Sequence, residues 1–190
     1  MSANATGIAI FPTELGHCGI AWTGDTVAGT QLPEKDEAST RKRMQRRFPN
    51  ASETSPPPHV QHAIENITAL LDGEPSDFTH VALNMHDVEP FDRRVYEAAR
   101  EIAPGTTVTY GAIAKRIGEP HAAQAVGQAL GRNPFAPIVP CHRIVAADGK
   151  MHGFSATGGV ATKLRLLTIE GWRANEPMLF APPPTGGTPL

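Results

Sequence analysis

Residues 109–143 read TYGAIAKRIGEPHAAQAVGQALGRNPFAPIVPCHR, and this stretch decides the fold of the second half of the chain. A short helix is predicted over Gly111 to Ile117, and Gly118-Glu119-Pro120 ends it. A second helix is predicted from about His121 to Gly131. Two short helices around a tight glycine-containing turn form the outline of a helix-turn-helix. The stretch therefore predicts a helical unit built on that motif.

The end of this stretch holds a cysteine in a restrained setting. Cys141 lies between Pro140 and His142 and follows the apolar pair Ile138-Val139. Nucleophilic cysteine chemistry requires the thiolate, which nearby bases or cations favour. A lone cysteine in a globular protein is more often a small buried apolar residue. From the residues alone, a reactive thiol and a packing role both stay open for Cys141.

Helices are also predicted on both sides of this stretch. One helix ends before Pro104-Gly105, and its apolar face consists of Phe91, Val95, Ala98 and Ile102. A last helix covers about 160–170, and its apolar side consists of Val160, Leu164 and Leu167. From Arg173 onward the chain is rich in Pro and Gly, which predicts disorder.

The first part of the chain predicts a small β-rich unit. Three apolar runs, at 7–11, 19–22 and 27–32, are separated by turn residues and predict an antiparallel meander of three strands. A charged helix is predicted over 34–48, a polar Pro-rich linker over 50–58 and a helix from about Val60 to Gly73. Residues 81–85 are consistent with one more strand, and 86–90 with a boundary between lobes.

Composition and charge restrict the classes of function. The chain has 190 residues, of which 40% are hydrophobic, and it contains no apolar run long enough to span a bilayer. We see no secretory signal and expect a cytoplasmic protein. Two cysteines are too few for a disulfide framework. A formal net charge of −2 gives no global sign of nucleic-acid binding, so any contact with DNA must use a local patch.

Pro140-Cys141-His142-Arg143 resembles the active-site signature of the methylated-DNA–protein-cysteine alkyltransferases, which repair O-alkylated guanine and thymine in DNA. The order and spacing of further motifs agree with this family from about Pro90 to Trp172. The matching segments are 109–114 before the recognition helix, 122–127 within it, the Asn hinge at 131–134, the loop at 153–155, and the final helix with Lys163, Leu166-Leu167 and Glu170-Gly171.

The resemblance implies an α/β protein of two lobes and a tail. Residues 1–86 would form a ribonuclease-H-like lobe with an antiparallel sheet, and residues 87–172 a helical lobe with a winged helix-turn-helix-like core. Residues 173–190 would be a disordered tail. The protein would be a monomer that needs no cofactor and binds double-stranded DNA containing O-alkylated bases, with no membrane partner.

The same resemblance assigns roles around the thiol. Cys141 would accept the alkyl group, His142 would act through a water as its base, and Glu170 would orient His142. Asn133 would tie the recognition helix to the active-site turn by side-chain hydrogen bonds. Some relatives bind zinc in the first lobe, but no Cys or His pair here has the spacing of a structural zinc site. We therefore expect no metal, and a packing role for Cys18.

The resemblance also implies contacts with the damaged base and its duplex. Tyr110 would donate to the ring of the flipped base, and backbone groups near Ser155 would meet the guanine oxygen. The carbonyls of Cys141 and Ile144 would accept from the exocyclic amine. The recognition helix would enter the minor groove with Ala123, Gln124, Ala125 and Gly127. Independently of the resemblance, the basic residues of this region outnumber its acids, Glu119 and Asp148, which predicts a basic strip over that helix made of Lys115, Arg116, Arg132, Arg143 and Lys150.

Two departures from the family and two rival functions bear on this interpretation. The family usually places an arginine at Gln124, where it fills the gap left by the flipped nucleotide, and Ala136 replaces a proline that lines the pocket in some relatives.

Alkyltransferase-like proteins bind lesions with little or no repair and lack the acceptor cysteine, so Cys141 argues against them. A cysteine hydrolase using Cys141 and His142 would turn over.

Overall fold

The computed structural model describes residues 4–148, 151 and 154–173, so the predicted tail beyond Arg173 lies outside the described residues. Strands β1 (Gly7–Thr13), β2 (Gly16–Thr23) and β3 (Thr26–Gln31) form one antiparallel meander. Two-residue connections join neighbouring strands, which is the geometry that turn residues between apolar runs favour. The predicted three-stranded meander is confirmed.

A fourth strand corrects two expectations for this region. Strand β4 (Ser52–Glu53) pairs in parallel with Gly7 and Ile8, so the sheet order is β3-β2-β1-β4. The predicted linker over 50–58 therefore contributes to the sheet, and the sheet is not wholly antiparallel. Residues 81–85 form no strand, since only Leu83 makes a bridge, with Val27. Strand β4 has only two residues, both exposed, so it lacks the alternation of apolar and polar residues from which a strand is predicted.

Two helices cover opposite faces of this sheet. Helix α1 (Glu37–Arg47) begins at Asp36, whose side chain accepts from the Ser39 amide, and buries Met44 against one face. Helix α2 (Pro58–Leu71) starts at a proline, whose fixed φ suits the first helical position, and packs its apolar side on the other face. We call β1–β4 with α1 and α2 the sheet unit.

The second half of the described chain is mainly helical, as predicted. It contains α3 (Pro90–Arg100), α4 (Tyr110–Arg116), α5 (Ala123–Gly131) and α6 (Val160–Ile169). Two short parallel strands, β5 (Val108–Thr109) and β6 (Ile144–Val145), pair beside a single 3₁₀ turn at Cys141–Arg143. We call α3–α6 with β5 and β6 the helical unit. None of the helices in the described ranges is long and apolar enough to cross a bilayer.

The buried face of α6 differs from the predicted one. Val160 and Leu164 are 38% and 41% exposed, whereas Lys163, Leu166 and Leu167 are buried. Leu166 packs into a cluster with α2 and the sheet, and the Lys163 ammonium reaches a backbone carbonyl inside the helical unit. A lysine on the buried face is invisible to a pattern that places only apolar residues in the core.

Candidate active site

Cys141 lies at the start of the 3₁₀ turn and is 7% exposed. Burial raises the pKa of its thiol. Hydrogen bonds from the Asn133 side chain and from the backbone amides of Cys141 and His142, together with the positive charge of Lys163, oppose that rise in pKa. The sulfur is thus held as a thiol in surroundings that can support a thiolate once a base takes its proton.

Asn133 connects the end of α5 to this turn, as the resemblance implies. Its side-chain amide donates to the Val139 carbonyl over 2.8 Å, and its side-chain oxygen accepts from the Phe135 amide over 2.9 Å. Its side chain also lowers the pKa of the Cys141 thiol. One side chain therefore bonds the backbone at two points, Phe135 and Val139, of the segment that leads from α5 to Cys141.

His142 and Glu170 meet in the interior. His142 Nε2 lies 2.7 Å from Glu170 Oε1, and the two side chains are 0% and 1% exposed. Because a carboxylate only accepts, Nε2 carries the proton and Nδ1 has the free lone pair. His142 Nδ1 is buried and has no hydrogen-bond partner among the described residues. The ring is thus oriented with an unprotonated nitrogen available as a base.

The Glu170 carboxylate also accepts hydrogen bonds from two other residues, Arg143 and Gly105. The sequence did not indicate either contact. Arg143 donates to it from Nε over 2.9 Å and from Nη2 over 2.8 Å, and the Gly105 amide donates over 3.1 Å. Gly105 has φ +72°, and a side chain there would place Cβ 2.5 Å from the Glu170 carbonyl oxygen. The Pro104-Gly105 pair predicted a helix end, but nothing local indicated that it contacts the site.

This cluster sets the protonation states of both partners. Burial lowers the pKa of His142 below its ordinary value, and the positive charge of Arg143 contributes to that shift. Burial raises the pKa of Glu170, but its hydrogen bonds with His142 and Arg143 prevail and lower it to about 2. At neutral pH the site therefore holds a neutral imidazole beside an ionised carboxylate, which suits His142 to proton acceptance.

The predicted basic strip over the recognition helix is wrong for Arg143 and stays a prediction for the exposed Lys115, Arg116 and Arg132. Arg143 is 4% exposed and bound to Glu170 and the Ile102 carbonyl, so it is not available to a phosphate. Arg116 is ion-paired with Glu101, and Arg132 with Asp92 through two hydrogen bonds. Only Lys115, of the four strip members in the described chain, is exposed and without an ion pair; Lys150 lies outside it.

Lys163 is a buried charged residue near the thiol for which the resemblance implied no individual role. Its ammonium donates to the Ile144 carbonyl over 2.6 Å and lies 6.0 Å from the centre of the Tyr110 ring. The ammonium is also close enough to lower the pKa of Cys141. The Ile144 carbonyl has a second lone pair, so its predicted contact with a guanine amine stays open. The family motif containing Lys163 was the one signal of its importance.

The residues predicted to contact DNA lie around these groups. Tyr110 begins α4 and is half-buried beside Gly127 of α5. Burial raises the pKa of Tyr110, which keeps its hydroxyl a donor at neutral pH. Gln124 is exposed near the start of α5. Ala123 and Ala125 are half-buried on either side of it.

A cleft of about 620 Å³ gives access to the thiol. Cys141, Asn133, Ala136 and Ser155 line it together with Arg46 of the sheet unit. The structure thus brings Ser155 and Ala136 to the same opening as the sulfur. A molecule the size of a nucleobase can enter a cleft of this volume.

Cys18, the second cysteine, lies away from this site. Cys18 is 2% exposed inside the sheet unit, and burial raises the pKa of its thiol to about 12. The predicted packing role of Cys18 is confirmed. Within the described ranges, no three His, Cys, Asp or Glu side chains come together as a metal-binding group.

Comparisons with known proteins agree with this geometry. Residues 90–172 match the model of the 6-O-methylguanine DNA methyltransferase DNA-binding domain. The methylated-DNA–protein-cysteine methyltransferase of Mycobacterium tuberculosis H37Rv is 42% identical over 121 residues, which are 64% of this chain and 71% of that protein. The chain belongs to the methylated-DNA–protein-cysteine methyltransferase family. This is a family of DNA repair proteins.

A second relative and a solved structure are also similar to this chain. The Mycolicibacterium paratuberculosis methylated-DNA–protein-cysteine methyltransferase is 44% identical over 108 residues, and the match spans 57% of this chain and 63% of the relative's length. A crystal structure of M. tuberculosis OGT in complex with DNA superposes with a TM-score of 0.70 at 31% identity, covering 87% of this chain and 92% of that one. The structural match therefore includes the sheet unit as well as the helical unit.

Proposed function

We propose that this methyltransferase-family protein repairs O6-alkylguanine in DNA, and O4-alkylthymine as well, by moving the alkyl group irreversibly to Cys141. The observation that carries the proposal is Cys141 at a cleft large enough to admit a nucleobase, on a turn that Asn133 anchors and next to the buried His142–Glu170 pair. The family membership of the chain and the DNA complex of a relative support the same substrate class.

The reaction is a displacement at an sp³ carbon. The Cys141 thiol loses its proton through a water to His142 Nδ1, whose imidazolium the Glu170 carboxylate stabilises. The sulfur forms a bond to the alkyl carbon while the bond from that carbon to guanine O6 breaks. The departing guanine takes the electron pair, and the Tyr110 hydroxyl donates to the base ring and lowers the energy of that leaving group.

The product explains why the protein works once. A thioether at Cys141 lacks a good leaving group, so neither water nor a second base can remove the alkyl carbon under the conditions of repair. Cys18 cannot replace the acceptor, because it is buried in the sheet unit away from the cleft. The expected stoichiometry is one alkyl group per chain.

DNA access requires extrusion of the damaged nucleotide, which costs a few kcal/mol. In the proposed complex, α5 lies in the minor groove with Gln124 and Ala123 toward the duplex, and Arg132 at its end can approach a phosphate while it stays paired with Asp92. Backbone groups near Ser155 meet the guanine oxygen, and the carbonyls of Cys141 and Ile144 accept from its amine. The partner is double-stranded DNA.

Finer features of the architecture belong to the same proposal. We infer a ribonuclease-H-like first lobe over 1–86, which the order β3-β2-β1-β4 with a parallel outer strand supports. The lobe over 87–172 has a winged helix-turn-helix-like core, supported by α4, α5 and the β5–β6 pair. We further propose that the protein acts as a monomer in the cytoplasm, a reducing compartment that would keep Cys141 a thiol.

Intact mass spectrometry after exposure to duplex DNA carrying O6-methylguanine tests this function. We expect the mass to rise by one methyl group and no further, with the added mass on the peptide containing Cys141. Cys18→Ser is the matched control and should accept one methyl group at the parental rate. Sustained turnover would instead indicate a hydrolase, and lesion binding without any mass gain would indicate an alkyltransferase-like binding protein.

Gln124→Arg should speed repair in duplex DNA several-fold. An arginine would fill the stack vacated by the flipped nucleotide and make charge-assisted hydrogen bonds, which are roughly twice as strong as the neutral bonds of a glutamine. The same variant should react with a free O6-alkylguanine base at the parental rate, because that substrate needs no extrusion. Single-turnover rates on the two substrates measure the difference.

Gln128→Arg is the control for added charge on α5, because Gln128 is exposed one turn further along that helix. It should raise DNA affinity without changing the single-turnover rate at saturating DNA. An equal gain for Gln124→Arg on duplex and on free base would place Gln124 at the base pocket instead. No gain on either would remove Gln124 from the extrusion step.

A further inference from the structure

The last residues of β3 contact the segment that leads to the acceptor cysteine. The Thr30 amide donates to the Pro134 carbonyl over 2.8 Å, and the Thr30 hydroxyl donates to the Ala136 carbonyl over 2.5 Å. Thr30 is 4% exposed. A residue of the sheet unit thus makes two hydrogen bonds to a loop that lies more than 100 positions later in the chain.

That loop is the path from α5 to the thiol. Asn133 precedes Pro134 directly, donates to the Val139 carbonyl and lowers the pKa of the Cys141 thiol. Ala136 lines the cleft that opens on Cys141. A shift of the Pro134 or Ala136 carbonyl would therefore move the Asn133 amide relative to the sulfur and alter the wall that faces the base.

The end of β3 packs closely against the loop at Pro134, and the carbonyls of Thr30 and Pro134 also accept hydrogen bonds from Arg47. Arg47 of α1 donates to the Thr30 carbonyl over 2.7 Å and to the Pro134 carbonyl over 3.4 Å. Gly29 has no room for a side chain, since a Cβ would lie 2.8 Å from the Phe48 ring and 3.3 Å from the Pro134 oxygen. The end of β3 and this loop therefore pack with backbone against backbone, which leaves little freedom in their relative position.

We infer that Thr30 is a positioning residue for alkyl transfer: its two hydrogen bonds from the sheet unit hold the 133–137 segment, so that Asn133 and the Cys141 sulfur keep their reactive geometry. The inference rests on the proposed function of Cys141 as acceptor. It gives the sheet unit a part in positioning the active site, although Thr30 lies outside the family-matched residues 90–172.

Thr30→Val tests the hydroxyl, because valine has the same shape and keeps the backbone bond to Pro134. We expect it to slow alkyl transfer from a free O6-alkylguanine base about tenfold, the effect of one lost hydrogen bond to a positioned carbonyl. The pH profile of iodoacetamide alkylation at Cys141, followed by peptide mass, should shift to higher pH. Thr30→Ser, which restores the hydroxyl, should recover both readouts to within about twofold.

Thr26→Val is the matched control. Thr26 lies on the same strand, and its hydroxyl donates to the Thr23 carbonyl over 2.9 Å within the sheet unit. It should change neither the transfer rate nor the iodoacetamide profile. If Thr30→Val fails to fold, Thr30→Ala removes the same hydroxyl and carries the test.

An unchanged rate and profile in Thr30→Val, with only a lower melting temperature, would overturn the inference and leave Thr30 a structural residue. Failure of the proposed function is distinguishable, because the parent protein would then accept no alkyl group from the base. The iodoacetamide profile would still report whether Thr30 positions the segment around the sulfur.

Discussion

Replacing Glu170 with glutamine is expected to slow alkyl transfer about 100-fold and to lower the free energy of unfolding by about 3 kcal/mol. The variant leaves the buried Arg143 guanidinium without its carboxylate, and His142 without the negative charge that stabilises its protonated form. Single-turnover kinetics on a free O6-alkylguanine base and denaturant unfolding measure the two effects separately. Transfer at the parental rate would contradict the role of Glu170 in orienting His142.

The same variant should change how stability depends on pH. The pKa of Glu170 is lowered from 4.5 to about 2 in the folded state, so its contribution is complete above pH 4.5 and is lost as the pH falls toward 2. The lowered pKa of His142 acts in the same direction below its ordinary value of 6.5, because the unfolded chain takes up that proton first. Melting temperature should therefore fall with acidification in the parent protein and fall less between pH 4.5 and 2 in Glu170→Gln.

Glu119→Gln is the control for loss of one carboxylate. Glu119 pairs with Arg94 at the surface, where both side chains are about half exposed. An exposed ion pair contributes little to stability. This variant should therefore keep the parental transfer rate, the parental melting temperature and the parental acid response.

Lys163→Met should slow transfer about tenfold at neutral pH and move the iodoacetamide profile of Cys141 to higher pH. Methionine preserves the length and the packing of the side chain but removes the positive charge that lowers the pKa of the Cys141 thiol. It also leaves the Ile144 carbonyl without its ammonium donor. The measurement is the rate of Cys141 alkylation across pH 6 to 10, with a free alkylguanine base as the second substrate.

Lys115→Met provides the comparison for this variant. Lys115 is an exposed lysine of α4, so its removal changes net charge equally without changing the surroundings of the sulfur. Its iodoacetamide profile should match that of the parent protein. A profile that is equally unshifted in Lys163→Met would show that the Lys163 ammonium does not act on the thiol.

Local pattern was sufficient for most of the secondary structure. The apolar positions of α2 and α3 recur at helical spacing, and the three strands of the meander are apolar runs between turn residues. These are properties of residues close together in the chain, and they do not depend on tertiary contacts. The two-residue strand β4 has no such pattern and became visible only through its pairing with β1.

Charged residues were the least predictable from the sequence. The predicted basic strip included Arg143, which the structure buries. Its actual partner, Glu170, lies 27 residues further along the chain. Lys163 lies on the face of α6 that the apolar pattern left out, and it is buried because the Ile144 carbonyl satisfies it.

The sequence by itself determined most of the helices and strands and the family to which its motifs belong, while the acceptor role of Cys141 stays a prediction. Tertiary structure alone decided that Arg143 and Gly105 complete the Glu170 cluster, that Lys163 is buried against the Ile144 carbonyl, and that Thr30 bonds the loop before Cys141. The physical reason is the range of each interaction. Periodicity and turn chemistry act between neighbours in the chain, whereas a buried charge or carbonyl is satisfied only by a partner that folding brings within 3 Å or so.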